Sequence, residues 1–491
     1  MASEQNQSRR FVDRRRFLFE AGGGLSGLAL ATLLGEDNLL GASAGGGCIT
    51  GGPMMASPFT PKQPHFAPRA KRVISLFMSG GVSHMDTFDP KPALTKYAGQ
   101  PMDGKGDIVV RQGHPGPLMP SPFSFQQYGR GGLWISELFP NVAKHADKLA
   151  VIRSVKGRSN DHVMAHYELA SGTIRMGWPS VGSWLAYGLG SENQNLPAFV
   201  VIYDARGGPF GGPANWSAGY RPASYQGTIF RSKGDPIFDL KAPEGVSDDQ
   251  MRSRLSLLDK LNAMDLEKNP ANSELAARIS SYELAFRMQG CAPDAVDLGN
   301  ESAATKTLYG LDDPITAPFG RQCLIARRLA ERGVRYIQLY HGGIGNQNTD
   351  TWDAHGNVKE NHTAHAAESD LPIAGLLTDL KERGLLDDTL VVWQSEFGRM
   401  PISQRGLGRD HNPGAMSIWM AGAKIEGGQT IGATDDFGYK AEQQVLTVHD
   451  LHATMLHLLG MDHTKLTYAF QGRKMRLTDV YGELIPQLVK A

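Results

Sequence analysis

The sequence predicts an α/β fold: a mostly parallel central sheet with helices on both faces and a helical insertion. Two segments and the loop content carry that expectation. Leu371, Ile373, Ala374, Leu377 and Leu380 recur near helical spacing, Gly384 stops the helix, and Thr389 to Trp393 (TLVVW) follows as an uninterrupted run of apolar β-formers. The order repeats with a helix at Phe319 to Arg332 and a strand at Arg335 to Tyr340 (RYIQLY). A strand without polar alternation is covered on both faces, as in parallel sheets. With 58 Gly and 28 Pro among 491 residues, loops are plentiful, and those at strand carboxyl ends are where such sheets bind ligands.

The other elements follow in chain order. Arg14-Arg15-Arg16-Phe17-Leu18 matches the twin-arginine export pattern, and Ala42-Ser43-Ala44 suits signal peptidase. The Gly/Ala/Leu stretch between them, Ala21 to Leu34, falls short of the roughly 20 residues of a bilayer span. Residues 1–44 are therefore expected to be a signal peptide directing the protein to the periplasm, envelope or exterior, with no transmembrane span once it is removed. Residues 45–68 read as a linker, and one α/β domain occupies 69–488.

Lys71 to Met78 (KRVISLFM) is the first strand, opening into a Gly-containing loop. The turn-rich stretch Phe88 to Leu133 lines or covers the site. Ile135 to Val142 is expected to be a helix and Leu149 to Arg153 (LAVIR) a strand. Asn160 or Asp161 caps a helix running to about Ala170, with His162 and His166 on one face near its positive end. Ser180 to Tyr203 gives another helix and strand. Ser247 to Met288 is polar and helical, an insertion of about 247–290 serving as a lid or a partner surface. A final helix lies within Val445 to Gly460, with Asp450 as its N-cap.

Lys plus Arg equals Asp plus Glu at 50 each, so no global charge favours nucleic acid as a partner. After signal removal three cysteines remain, Cys48, Cys291 and Cys323; the odd number allows one disulfide, and Cys291 with Cys323 is one such pair.

Chemistry concentrates after the strand ends. HGGIGNQNTDTWDAHGNVKENHTAH follows Tyr340 and holds His341, Asp350, Asp353, His355, His362 and His365 within 25 residues. Oxygen and nitrogen donors of this kind suit a divalent ion such as zinc, manganese, calcium or magnesium, and Asp353 with His355 is the tightest element. Asn and Asp also serve turns and caps, the competing use of such residues. Glu396 follows the Thr389–Trp393 strand, His84 and Asp86 follow the first strand, and His411 has Asp410 beside it; all are candidate metal ligands. Arg399 and Arg409 offer fork geometry suited to phosphate or sulfate oxygens, against the ordinary alternative of pairing with an Asp. His162 and His166 are the candidate catalytic imidazoles, as general base or nucleophile.

The segments RVISLFMSGGVSHMDTFDPKP, the Asn160 to Gly172 helix, WDAH, SEFGR, GRDHNPGAMSIWMAG and VHDLHATMLHLLG together resemble the bacterial domain-of-unknown-function family 1501, itself similar to alkaline phosphatases and sulfatases. The resemblance spans about Arg69 to Leu488. It implies an alkaline phosphatase-like fold and an exported metal-dependent hydrolase of phosphate or sulfate esters, acting on an anionic ester or a sulfated or phosphorylated glycan. The departures are as specific as the matches. The superfamily's Ser-Asp-His-Gly has become Ser395-Glu396-Phe397-Gly398, and its first-strand Asp falls at Ser79, Gly80 or Gly81. The sulfatase nucleophile position is His162, so formylglycine chemistry is not supported. A non-catalytic envelope protein binding metal, glycan or a protein partner is the competing expectation.

Overall fold

The computed structural model describes residues 59–104, 108–231, 237, 247–268, 283–285, 287–288, 292–346 and 349–490. The twin-arginine pattern, Cys48, Cys291 and residues 269–282 of the expected insertion lie outside them. Cys323 is a buried free thiol.

The chain divides into two units, one of residues 51–241 with 262–491 and one of 1–50 with 242–261. The first unit holds a nine-stranded sheet. Its strands are β1 (Arg72–Met78), β2 (Ala150–Lys156), β3 (Phe199–Tyr203), β4 (Thr228–Arg231), β5 (Tyr336–His341), β6 (Thr389–Gln394), β7 (Met416–Gly422), β8 (Gln429–Ile431) and β9 (Leu446–Thr447). The order is β8-β2-β7-β6-β1-β5-β3-β4, with β9 also on β2. Every pairing is parallel except those of β7, which runs against β2 and β6. Val73 of β1 registers with Tyr336 and Leu390, so β1, β5 and β6 end side by side.

Six helices are named here: α1 (His162–Ser171), α2 (Val181–Leu189), α3 (Asp248–Lys268), α4 (Ala317–Glu331), α5 (Val358–Glu382) and α6 (Val448–Leu458). The residues of α3 up to Leu261 belong to the second unit. Alternation along β1 explains the layering: Ile74, Leu76 and Met78 join one apolar cluster with Leu324 and Leu329 of α4 and Ile373 and Leu377 of α5. Val73 and Phe77 join the other, with Leu169 of α1, Trp184 of α2 and Leu451 of α6. Among the described residues no helix is long and apolar enough to cross a membrane.

Three expectations are corrected. The helix at Ile135 to Val142 is instead a strand, Leu133–Ser136, followed by a 3₁₀ turn at Val142–Lys148, because Pro140 bars the preceding residue from helical geometry. Helix α5 starts at Val358, where the Asn357 side chain accepts from the Lys359 and Glu360 N–H groups, and continues through Pro372. His362 and His365 are thereby helical residues. Helix α6 is capped by Thr447 in a capping box, with Asp450 at the third helical position.

Candidate metal centre

Four side chains converge beyond the carboxyl ends of β1, β5 and β6. One donor atom from each of His162, Asp353, His355 and His411 lies within 4.8 Å of the others. His162 opens α1, Asp353 and His355 stand on the loop after β5, and His411 sits in a short ladder opposite Arg399. The Nε2 atoms of His162, His355 and His411 lie 3.2, 3.0 and 3.2 Å from the Asp353 carboxylate.

Their Nδ1 atoms all face acceptors. His162 Nδ1 is 2.7 Å from Glu396 Oε1, and His411 Nδ1 is 2.7 Å from the Asn160 carbonyl. His355 Nδ1 is 2.6 Å from Gln404 Oε1, whose own amide nitrogen donates to the Gly113 carbonyl and so fixes the oxygen toward the ring. A carbonyl or carboxylate can only accept, so in the neutral rings each Nδ1 carries the hydrogen and each Nε2 keeps its lone pair. Among the described residues the buried Nε2 atoms of His162 and His355 face no polar group other than the Asp353 carboxylate. Three imidazole lone pairs and a carboxylate aimed at one point, with outer acceptors orienting the rings, fit a divalent ion.

Burial opposes ionisation of Asp353, but Arg399, 2.7 Å away, and the three imidazoles hold its carboxyl well below the usual range. Glu396 is likewise held low against its own burial by His166 and His162; it also accepts from the Gly80 N–H at 2.8 Å and from Ser395 Oγ at 3.0 Å. Without an ion, burial disfavours charge on His162, but Asp353 and Glu396 on either side more than offset it and push the imidazole up to about 9. His411 is pushed down to about 4 by burial.

The expected ligands separate into those the fold gathers and those it does not. Asp353, His355 and His411 are gathered, and His162, expected to be catalytic, joins them. Glu396 stands behind His162, outside the group. His84 turns away, its Nε2 2.8 Å from the Gly438 carbonyl. Asp86 is fully buried against Arg409, with Oδ2 2.7 Å from Nε. Both arginine side chains are fully buried. Arg399 spends its donors on Asp353 and on the carbonyls of Gly80, Gly81, Trp352 and Arg409. Arg409 spends its own on Asp86, Met400, Met119 and Pro120. His166 is buried against Phe77 and Tyr340, 3.4 Å from Glu396.

Residues that periodicity and composition passed over complete the centre. Phe210 stacks on His162 at 4.1 Å between ring centres, and Phe397 packs against both His162 and His411. Gln404 and the Asn160 carbonyl carry no signal in a single sequence, since an amide and a backbone oxygen become acceptors only by position.

A second group, His341, His365 and Glu368, also brings donor atoms within 4.8 Å. Here the tautomers argue against a cation. Trp352 Nε1 donates to His341 Nδ1 at 3.0 Å, so the neutral ring carries its hydrogen on Nε2, which faces Glu368 Oε2 at 3.0 Å. His365 Nδ1 reaches the same oxygen at 3.0 Å, and Arg206 pairs with the carboxylate as well. Glu368 is thus a saturated acceptor.

Comparison with known proteins places the chain. The family described as "Protein of unknown function (DUF1501)" matches residues 70–489. The chain belongs to this family. No curated protein matches the DUF1501 chain. Among solved structures it is similar to the alkaline phosphatase of the Antarctic bacterium TAB5, at 11% identity over 81% of this chain and 99% of that one, with a TM-score of 0.36. It is also similar to a phosphonate monoester hydrolase from Silicibacter pomeroyi (10% identity, 68% and 70% of the chains, TM-score 0.34). A sulfatase from Pseudoalteromonas sp. is a third (13% identity, 79% and 68%, TM-score 0.33). At these identities and scores the chemistry of the DUF1501 chain has to be read from its own side chains.

Proposed function

We propose that this protein is an exported, metal-dependent hydrolase of phosphate or sulfate esters built on one divalent ion. The observation that carries the reading is the set of three Nε2 lone pairs and the Asp353 carboxylate directed at one point, with every Nδ1 already committed to an acceptor. A donor set of three imidazoles and one carboxylate favours zinc, iron or manganese over calcium or magnesium, which prefer all-oxygen sites. Bound there, the ion supplies a Lewis acid for an ester oxygen and for water.

The chain's own residues do the rest. His162, His355, His411 and Asp353 hold the ion; Glu396, Gln404 and the Asn160 carbonyl keep the rings in register; Arg399 fixes Asp353. With Nδ1 on Glu396 and Nε2 in the ligand ring, His162 has no nitrogen free to act as base or nucleophile. Phe210 and Phe397 pack on the His162 ring. The side chains of His162, Asp353 and His355 are 11%, 9% and 9% exposed. Export rests on the twin-arginine pattern at Arg14 to Leu18.

The test is metal analysis of the exported protein, followed by a screen of chromogenic phosphate and sulfate esters. Stoichiometric metal with turnover, both lost in Asp353→Ala and His355→Ala, is the expected outcome; metal-free, inert protein overturns it. A non-catalytic metal-binding role is the second reading, favoured by Phe397, an apolar ring between two ligand imidazoles. Full metal occupancy with no turnover on any ester decides for that reading.

A further inference from the structure

Arg221 is only 5% exposed, yet among the described residues no carboxylate pairs with it. We propose that the free edge of its guanidinium is an anion site apart from the metal centre, taking two oxygens of a carboxylate, phosphate or sulfate. This site stands whether or not the hydrolase reading holds.

Arg221 Nη1 donates to the Ser183 carbonyl at 2.9 Å, while Nε and Nη2 are buried without a hydrogen-bond partner among the described residues. Those two nitrogens lie along one edge of the planar group and form the fork that grips an oxyanion. This chain uses the same edge elsewhere. Nε and Nη2 of Arg206 donate to the two oxygens of Asp204 at 3.0 and 2.7 Å, and those of Arg409 to Asp86 at 2.7 and 3.3 Å. Arg221 presents that fork with no acid in it.

The aromatic rings around Arg221 do not fill it. The guanidinium carbon lies over the Trp184 ring of α2 at 3.3 Å from its centre, 4.7 Å from the centre of Tyr187 and 5.6 Å from that of Tyr468. A guanidinium resting on a ring offers its face; the N–H bonds along its edge lie in its own plane and still need acceptors. Buried donors without acceptors are costly, and so is a buried charge without a counter-ion. A second cation shares the Tyr187 ring. Lys62 Nζ is 4.9 Å from its centre and donates to the Tyr187 carbonyl at 2.6 Å. Exposed Lys62 likewise has no acid partner among the described residues. Burial pushes Arg221 down to about 9, and burial together with the Arg221 charge lowers Lys62, so a bound anion relieves both cations.

The test is calorimetric titration of the zinc-loaded full chain with sodium phosphate, methyl phosphate, sulfate and acetate at constant ionic strength. Chloride, which has no pair of oxygens for the fork, is the control. Arg221→Met removes a buried charge that has no acid partner, a change that cores tolerate. Wild type is expected to bind at least one of the four oxyanions at one site per chain more than Arg221→Met does, a comparison that subtracts any anion held at the metal. Arg221→Lys keeps the charge without the fork and weakens this site by about tenfold or more, and Lys62→Ala weakens it less. The tightest oxyanion names the head group, and methyl phosphate bound as well as phosphate shows that the site accepts an esterified one. Equal stoichiometry in wild type and Arg221→Met overturns the proposal, as does chloride competing on equal terms. Should Arg221→Met not fold, unchanged binding in both Arg221→Lys and Lys62→Ala overturns it.

Discussion

Nδ1 of His162 lies 2.7 Å from Oε1 of Glu396, and this one contact turns the opposite nitrogen of the ring toward Asp353. The carboxylate just past β6 thereby orients a proposed metal ligand from behind. Removing such an acceptor from a metal-bound histidine typically costs about 10- to 100-fold in affinity. Glu396→Ala is expected to weaken zinc binding within that range by calorimetry, and Glu396→Gln, whose amide oxygen still accepts, to lose less. Equal losses would show that the charge matters and the hydrogen bond does not.

Gly80 joins the first strand to the Asp353 loop. Its φ of +119° disfavours any side chain, and an added Cβ would lie 2.5 and 2.6 Å from the backbone nitrogens of Trp352 and Asp353. Gly80→Ala is expected to displace Asp353, lower bound zinc well below one per chain, and destabilise the fold by about 1–3 kcal/mol in urea unfolding.

Asp86 and Arg409 form an ion pair with neither side chain exposed. Burial opposes ionisation of Asp86, yet Arg409 holds its carboxyl below the usual range. Arg409→Met leaves that charge uncompensated and is expected to cost about 3–5 kcal/mol, read from the urea midpoint, while Arg409→Met with Asp86→Leu recovers most of it.

Acid should unfold the protein through its buried neutral histidines. Burial pushes His452 down to about 4 and His362 to about 3. His362 Nε2 accepts from the Ser83 N–H, which favours its neutral ring, whereas His452 Nε2 donates to the Leu169 carbonyl and burial outweighs that bond. The unfolded chain takes up protons near pH 6.5 and the folded chain only near 4 and 3. The contribution of these two histidines is therefore full above pH 6.5 and falls as pH drops toward 4, by roughly 3 kcal/mol for each. His452→Gln and His362→Gln should flatten the pH profile of the urea midpoint across this window.

Chelation gives an independent check. If zinc binds only the folded chain, its removal from a solution at 100 times the Kd should lower the unfolding free energy by about 2.7 kcal/mol, with no change in His355→Ala.

The sequence by itself determined the α/β alternation, the strand ends that carry the site, and three of its four converging donors. The runs at Thr389 to Trp393 and Arg335 to Tyr340 read as doubly covered strands and the polar clusters after them as loops at one edge, although the cluster after Tyr340 enters helix α5 at Val358. Family membership was legible for the same reason, since SEFGR, WDAH and GRDHN keep their order along the chain. Only the tertiary structure decided which of these side chains meet. His162 enters the centre because α1 opens directly against the loop after β5. Glu396 steps behind it because a side chain's reach is set by the turn that follows its strand. Arg399 and Arg409, which in sequence look like anion receptors, are consumed by carbonyls and carboxylates remote in the chain. A spacing rule describes neighbours along one backbone; ligands, tautomers and saturated donors are properties of distances between backbones, and these exist only once the sheet has brought its loops together.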